Sequence, residues 1–223
     1  MSISIKEIFV GRPKTVGQKE AASPMDREWT SGIFKEPAQG AVWLSRTNLA
    51  GDGQADLKNH GGPDKAVLAY PAVHYSAWKE ELENTLIPVG GMGENFSLEG
   101  ITEDQVSIGD IFQLDEAVVQ VSQPRKPCWK PARRFKVKDL ALRIQRTGRT
   151  GWYLRVLQEG RVQAGQALTL IERPLPEWTV ARCNKVMYAK EADIADLEAL
   201  AECELLASSW RDSFKERIEK QER

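Results

Sequence analysis

Cysteine and histidine are scarce in this chain, with three of the former and two of the latter in 223 residues. Cys128, Cys183 and Cys203 are widely and unevenly spaced, which rules out a disulfide framework. No CxxC pair is present, so zinc and iron–sulfur clusters lack their usual ligand spacing. No apolar run approaches the roughly 18 residues that a membrane helix needs, and the first residues carry no basic-apolar leader. The reading is a reducing, cytoplasmic compartment with no membrane partner. No Gly-Lys-Ser/Thr follows the glycine clusters, and neither a dinucleotide fingerprint, a hydrolase elbow nor an HExxH helix occurs. A net charge of -1 argues against a protein that coats nucleic acid at large. Beyond Pro176 the chain has neither glycine nor proline.

Against these absences stand 41% hydrophobic residues and seven tryptophans, enough for a core of one full-sized domain with a small appendage. One segment concentrates chemistry: Gln123-Pro-Arg-Lys-Pro-Cys-Trp-Lys-Pro131 sets Cys128 between two prolines and among three cations. Nearby positive charge favours the thiolate, the form that attacks and ligates metals. Pro127 and Pro131 restrict the backbone on either side. A buried, inert cysteine is the alternative. From Arg125 to Arg161 there are twelve Lys and Arg residues and only two acids, Asp139 and Glu159. Such a block points to an anionic ligand, either a phosphorylated small molecule or a nucleic-acid backbone; a solvated basic face is the competing account. From Leu175 onward acids outnumber bases.

The first 170 or so residues read as short strands punctuated by Gly and Pro. Strands are expected over Ile3–Val10, Ala41–Leu44, Ala66–Tyr70, Val106–Leu114, Ala117–Ser122, Trp152–Gln158, Arg161–Val162 and Gln166–Glu172. Asp115-Glu116 turns one hairpin, and Glu159-Gly160 is a second turn signal. Helices are expected from Val73 to about Asn84, with His74 structural, and from Val137 through Ile144 to Gly148. Many short strands with few inserted helices predict a closed or nearly closed β-barrel, with a sandwich as runner-up. After Arg173-Pro-Leu-Pro176 the pattern becomes helical. Val180, Cys183 and Met187 share one face; Ile194, Leu197, Leu200 and Ala201 share a second; Trp210, Phe214 and Ile218 share a third. Ser209 and Asp212 are a candidate capping pair. The expected division is a barrel domain over 1–172 and a three-helix domain over 177–223. The acidic tail has no basic recognition helix, so DNA binding is not expected of it, and Cys183 and Cys203 fall on or near apolar faces as core filling.

Two further segments carry candidate site residues. Gly51-Asp-Gly-Gln-Ala-Asp56 leads to Asn59-His-Gly-Gly-Pro-Asp-Lys-Ala-Val67, where Gly61 and Gly62 permit close backbone approach, Asp64 and Lys65 bring opposite charges, and His60 lies in a loop. Gly90-Gly-Met-Gly-Glu-Asn-Phe96 frees backbone N–H groups toward an anion and adds Glu94 and Asn95. In this order, and followed by Gln-Pro-Arg-Lys-Pro-Cys128, the segments resemble the MOSC domain, named for the C-terminal part of molybdenum cofactor sulfurase. The resemblance is closest to its stand-alone bacterial YiiM-type members and covers nearly the whole chain.

That resemblance implies a mostly-β fold with α: a MOSC-type barrel core with inserted helices and a small C-terminal three-helix segment. It implies a bound molybdenum cofactor, a pterin with a dithiolene and a phosphate, in a variant the residues do not specify. Cys128 would be the metal ligand, with His60 and Glu94 as proton donors beside it. Gly61, Gly62, Asp64, Lys65, Gly93, Asn95, Arg125 and Lys126 would line the cofactor or substrate pocket. The implied activity is reduction of small N-hydroxylated compounds such as hydroxylamino-purines to amines. Without a flavin fingerprint or cluster cysteines, the electrons would come from a separate reductase. A persulfide carried on Cys128, or a non-catalytic module that binds nucleic acid or protein, are the alternatives.

Overall fold

The computed structural model describes residues 2–83 and 85–221. Along the chain run β1 (Ser4–Val10), β2 (Lys14–Val16), β3 (Trp29–Ser31), β4 (Glu36–Pro37), β5 (Val42–Leu44), α1 (Leu57–His60), β6 (Val67–Pro71), α2 (His74–Glu81), β7 (Phe96–Glu99), β8 (Ile111–Leu114) and β9 (Ala117–Pro124). Then follow α3 (Trp129–Phe135), α4 (Leu140–Thr147), β10 (Trp152–Gln158), β11 (Gly160–Val162), β12 (Thr169–Glu172), α5 (Val180–Tyr188), α6 (Ile194–Glu202) and α7 (Ser208–Gln221). A single 3-10 turn, Pro63–Lys65, precedes β6.

The main sheet orders its strands β12-β8-β9-β10-β6-β7-β1-β4. The segment before β12 then returns to β1, with Ile5 N–H donating to the Gln166 carbonyl at 2.9 Å, Gly165 N–H to Ile5 at 2.7 Å and Leu168 N–H to Ile3 at 3.0 Å. Those bonds join the far end of the sheet to β1 and close the predicted barrel. Pairing is antiparallel except between β6 and β7, where Ala69 faces Phe96 in parallel register. A parallel pair needs a crossover, and α2 lies within it. All five β6 residues are buried, which is why that strand reads as a continuous apolar run rather than an alternating one.

The hairpin at Asp115-Glu116 forms as expected, with Leu114 opposite Ala117 and Asp115 at φ 49°. Elsewhere the strands differ from the sequence expectation. Val106 to Asp110 is a turn before β8, held by Ser107 N–H donating to Asp110 Oδ2 at 2.9 Å. Glu159-Gly160 does not join a hairpin: β11 pairs with β5, Gly160 opposite Leu44, while β10 pairs with β9 and β6. A turn signal locates a change of direction but not the strand that will be paired. Helix α2 ends at Glu81; Asn84, the expected terminus, lies outside the described residues. Helix α4 ends on Gly148 at φ 71°, the left-handed position that glycine takes without strain.

The three C-terminal helices pack onto the barrel. Thr179 caps α5 and Asp193 caps α6 through their side-chain oxygens. Ser209 and Asp212 do not form the expected capping pair, because Ser209 lies inside α7 and its Oγ donates to Gln123 Oε1 at 3.3 Å. Val180, Cys183, Leu197, Leu200, Trp210 and Phe214 belong to the same apolar cluster as Val106, Ile108, Val119 and Val121 of the barrel. Backbone bonds cross the junction, Ala207 N–H to Ser122 and Val180 N–H to Val106, both at 2.9 Å. Among the described residues no helix is long and apolar enough to cross a membrane. Because tail and barrel share one core, Trp210→Ala is expected to cost about 3–5 kcal/mol. Urea unfolding followed by near- and far-ultraviolet dichroism should give one coincident transition for both parts; two separated transitions would show independent units.

Candidate functional site

Strand β9 ends at Pro124, and the chain turns through Arg125 to Pro127 into α3, whose N-cap is Cys128. Helix α3 is not among the helices expected from sequence, and it contains Pro131. Proline is tolerated in the first helical turn, where a backbone N–H has no intrahelical acceptor. Arg125 N–H donates to the Gly151 carbonyl at 3.1 Å. Gly151 sits at φ 68°, and a Cβ there would fall 2.4 Å from the Ala69 carbonyl oxygen, so only glycine lets β6 and the cysteine loop approach this closely. From α3, Arg134 Nη1 donates to the Ile33 carbonyl at 2.6 Å and to Gly91 at 3.1 Å. The cysteine loop, the segment after β3 and the loop after α2 are thereby held to one another.

Between them opens a pocket lined by Ser31–Ile33, Lys35, Gly53–Ala55, His60, Lys65, Leu68, Met92, Gly93, Asn95, Arg125, Cys128, Lys130 and Tyr153. Its enclosed interior is about 60 Å³, and it opens to solvent at its mouth. Arg125, Lys35, Lys65 and Lys130 line it and no carboxylate does. An outer groove shares His60, Lys65, Cys128, Lys130 and Tyr153 and adds Asp56, Asn59, Gln123, Lys126, Pro127, Trp129 and Ser209. Cys128, partly exposed, stands where the two meet.

Arg125 is buried, and its Nη1 has no hydrogen-bond partner. A buried, unpaired guanidinium nitrogen is costly unless a ligand completes it. Lys35 reaches the pocket from a buried pair with Asp52. Burial pulls its pKa down, while Asp52 pulls it back up. Asp52 Oδ1 also accepts from Gly11 N–H at 3.0 Å, and Oδ2 accepts from Asn95 Nδ2 at 2.9 Å. Asn95 borders the pocket with its amide committed elsewhere: Oδ1 accepts from Leu68 N–H at 3.1 Å, and Nδ2 also donates to the Phe9 carbonyl at 3.2 Å.

The Lys130 ammonium approaches His60 to 3.2 Å from Nδ1 and 3.4 Å from Nε2. Burial, reinforced by Lys130 and Arg125, pushes the His60 pKa down to about 4 against a weaker pull from Asp56. The imidazole is therefore neutral near pH 7 and serves Lys130 as an acceptor. Glu94 lies fully buried behind the pocket. Its Oε1 accepts from the Tyr75 hydroxyl at 2.5 Å and from Gly90 N–H at 2.9 Å, and burial raises its pKa.

Gly61, Gly62 and Asp64 form the turn into β6 and line neither cavity. Asp64 pairs with Arg155 at 2.9 Å. Gly93 and Lys65 line the inner pocket, while Lys126 lines the outer groove and donates to the Ser209 carbonyl at 3.2 Å and to Ser213 Oγ at 2.5 Å. The sequence does not single out Lys35, Asp52, Trp129 or Tyr153 as site residues, and it marks Lys130 only as one of the three cations around Cys128. Trp129 follows Cys128 directly, so adjacency could have found it; nothing in the surroundings of Lys35 marks it. Among the described residues no three His, Cys, Asp or Glu side chains form a metal cage.

The chain matches the MOSC domain over residues 56–169 and the YiiM-like, 3-alpha helix domain over residues 178–221. It is 46% identical to the protein YflK of Bacillus subtilis (strain 168) over 211 residues, 95% of this chain and 92% of that one. A protein of Gibberella moniliformis named Reductase is 39% identical over 196 residues, which are 86% of this chain but 34% of the fungal protein. The crystal structure of YiiM from Geobacillus stearothermophilus matches with a TM-score of 0.80 at 36% identity, over 97% of this chain and 99% of that one.

The His60 environment has a consequence for pH. Its folded pKa, about 4, lies below the unfolded value of 6.5, so below pH 6.5 the unfolded chain takes up a proton that the folded chain refuses. This contribution to stability is present above pH 6.5 and is lost as the pH falls toward 4. Urea midpoints measured across that window should decline less steeply in His60→Gln than in the parent protein; parallel declines would refute a neutral His60.

Proposed function

Because this chain belongs to the MOSC-domain family and continues into its YiiM-like helical segment, we propose that it is a molybdenum-cofactor-dependent reductase of small N-hydroxylated compounds, hydroxylamino-purines among them. The observation that carries the reading is the meeting of the Cys128 thiol and the unpartnered Nη1 of buried Arg125 in one pocket without carboxylates. These residues suit a group with a redox metal and a phosphate. A thiolate is a soft ligand for a redox metal, and guanidinium and ammonium groups pair with phosphate oxygens. The fungal relative named Reductase supports oxidoreductase chemistry in this sequence group.

In this reading Cys128 Sγ holds the metal, and Arg125, Lys35 and Lys65 bind the anionic part of the cofactor. When bound, that cofactor supplies a centre able to exchange two electrons. Asp52 and Asn95 keep Lys35 aimed into the pocket. Lys130, held against neutral His60, delivers a proton from the mouth of the pocket. Glu94, enclosed with Tyr75 and Gly90, positions the glycine loop. Overall, the N–O bond breaks, an N–H bond forms and water leaves. Two electrons and two protons balance the change, and the electrons come from a separate reductase.

Protein from a cofactor-producing host, assayed for molybdenum and pterin, tests the assignment. The parent should carry near-stoichiometric metal, and Cys128→Ala should lose it together with turnover of a hydroxylamino-purine driven by an added reductase. Full metal content and turnover in Cys128→Ala would reject the reading. Absence of metal and pterin from both proteins, with a sulfur adduct on Cys128 by mass spectrometry, would favour the persulfide carrier.

A further inference from the structure

Trp129, the residue directly after the thiol, is 51% exposed and lines the outer groove. Its position is fixed from behind. The Trp29 ring lies 5.1 Å away, centroid to centroid, tilted at 59°. The Arg133 guanidinium sits 5.4 Å from the centroids of both indoles. Arg133 is itself anchored, through Nε to the Met25 carbonyl at 3.4 Å and through Nη2 to the Arg27 carbonyl. A large indole held this firmly, with half its surface open beside the reactive group, is a preformed stacking surface that loses little side-chain freedom on binding. Lys65, Lys126 and Lys130 border the same groove against one carboxylate, Asp56, which disfavours a cationic ligand.

We infer that the outer groove is a substrate site and that Trp129 is its stacking platform, selecting planar, neutral or anionic heteroaromatic rings of the purine or pyrimidine class over aliphatic N-hydroxy compounds. The inference rests on the proposed reductase reading for the identity of the reaction, but the stacking stands on the geometry alone. A pterin shares the planar heteroaromatic chemistry of a purine, so cofactor-loaded and cofactor-free protein must be compared.

Tryptophan emission titrated with adenosine monophosphate provides a readout independent of turnover. Saturable quenching is expected in cofactor-loaded protein, lost in Trp129→Leu, restored in Trp129→Phe as measured by competition, and retained in a control at Trp43→Leu, an exposed tryptophan that lines neither cavity. In steady-state assays Trp129→Leu should lower kcat/KM for a hydroxylamino-purine roughly 10-fold or more, mainly through KM, with a smaller loss for acetohydroxamate. Equal quenching in the parent and Trp129→Leu, or quenching confined to cofactor-free protein, would overturn the inference, as would equal losses for both substrates. If no N-hydroxylated compound is reduced but Trp129-dependent quenching persists, the reductase reading fails while the stacking site stands.

Discussion

The network around Asp52 is the constraint from which the pocket's shape follows. One buried carboxylate receives the Lys35 ammonium, the Gly11 amide and the Asn95 amide, and Asn95 in turn bonds the backbone of Phe9 and Leu68. These contacts join β1, the loop after β5, β6 and the approach to β7. Burying a charge is costly, and a buried pair is worth keeping only when its remaining hydrogen bonds are satisfied. Here both carboxylate oxygens are satisfied. The network makes the floor of the pocket rigid, and Lys35 extends a positive charge from that floor toward the space beside Cys128.

The basic block from Arg125 to Arg161 acquires a different meaning in three dimensions. Arg134 is bonded to loop carbonyls, Lys136 to Asp26, Arg143 and Arg149 to Glu81, and Arg155 to Asp64. These cations hold loops and helices in place. Only Arg125 and Lys130 from this block line the inner pocket, where Lys35 and Lys65 from elsewhere in the chain join them. The positive field at the site is built from three separate segments, so a linear charge count both overstates the block and misses half of the cluster.

Glu94 and His60 lie at different depths. Glu94, fully enclosed, is held by Tyr75 and the glycine loop. His60, closer to the surface, is kept neutral by burial and by the cations beside it. The result separates a cationic, anion-seeking interior from an outer groove walled by Trp129 and by Ser209 at the start of α7. The helical tail is thus part of the site's wall, because Lys126, two residues before Cys128, is bonded to Ser209 and Ser213.

Much of this was legible in the linear chain, since local physics decided it. Alternation and turn residues located most strands, Asp115-Glu116 formed its hairpin, Gly148 ended α4, and the glycine- and proline-free tail became three helices. The ordered motifs around His60, Glu94 and Cys128 identified the family, because close backbone approach and a cation-flanked thiol need particular residue types. Tertiary structure alone decided what depends on distant neighbours. It paired β11 with β5 instead of β10, closed the barrel through residues 165–168 and fused the cores of barrel and tail. It enclosed Glu94, held His60 neutral and brought Lys35 to the thiol's pocket. Burial and electrostatic environment are set by whichever atoms surround a group after folding, and no local pattern carries that information.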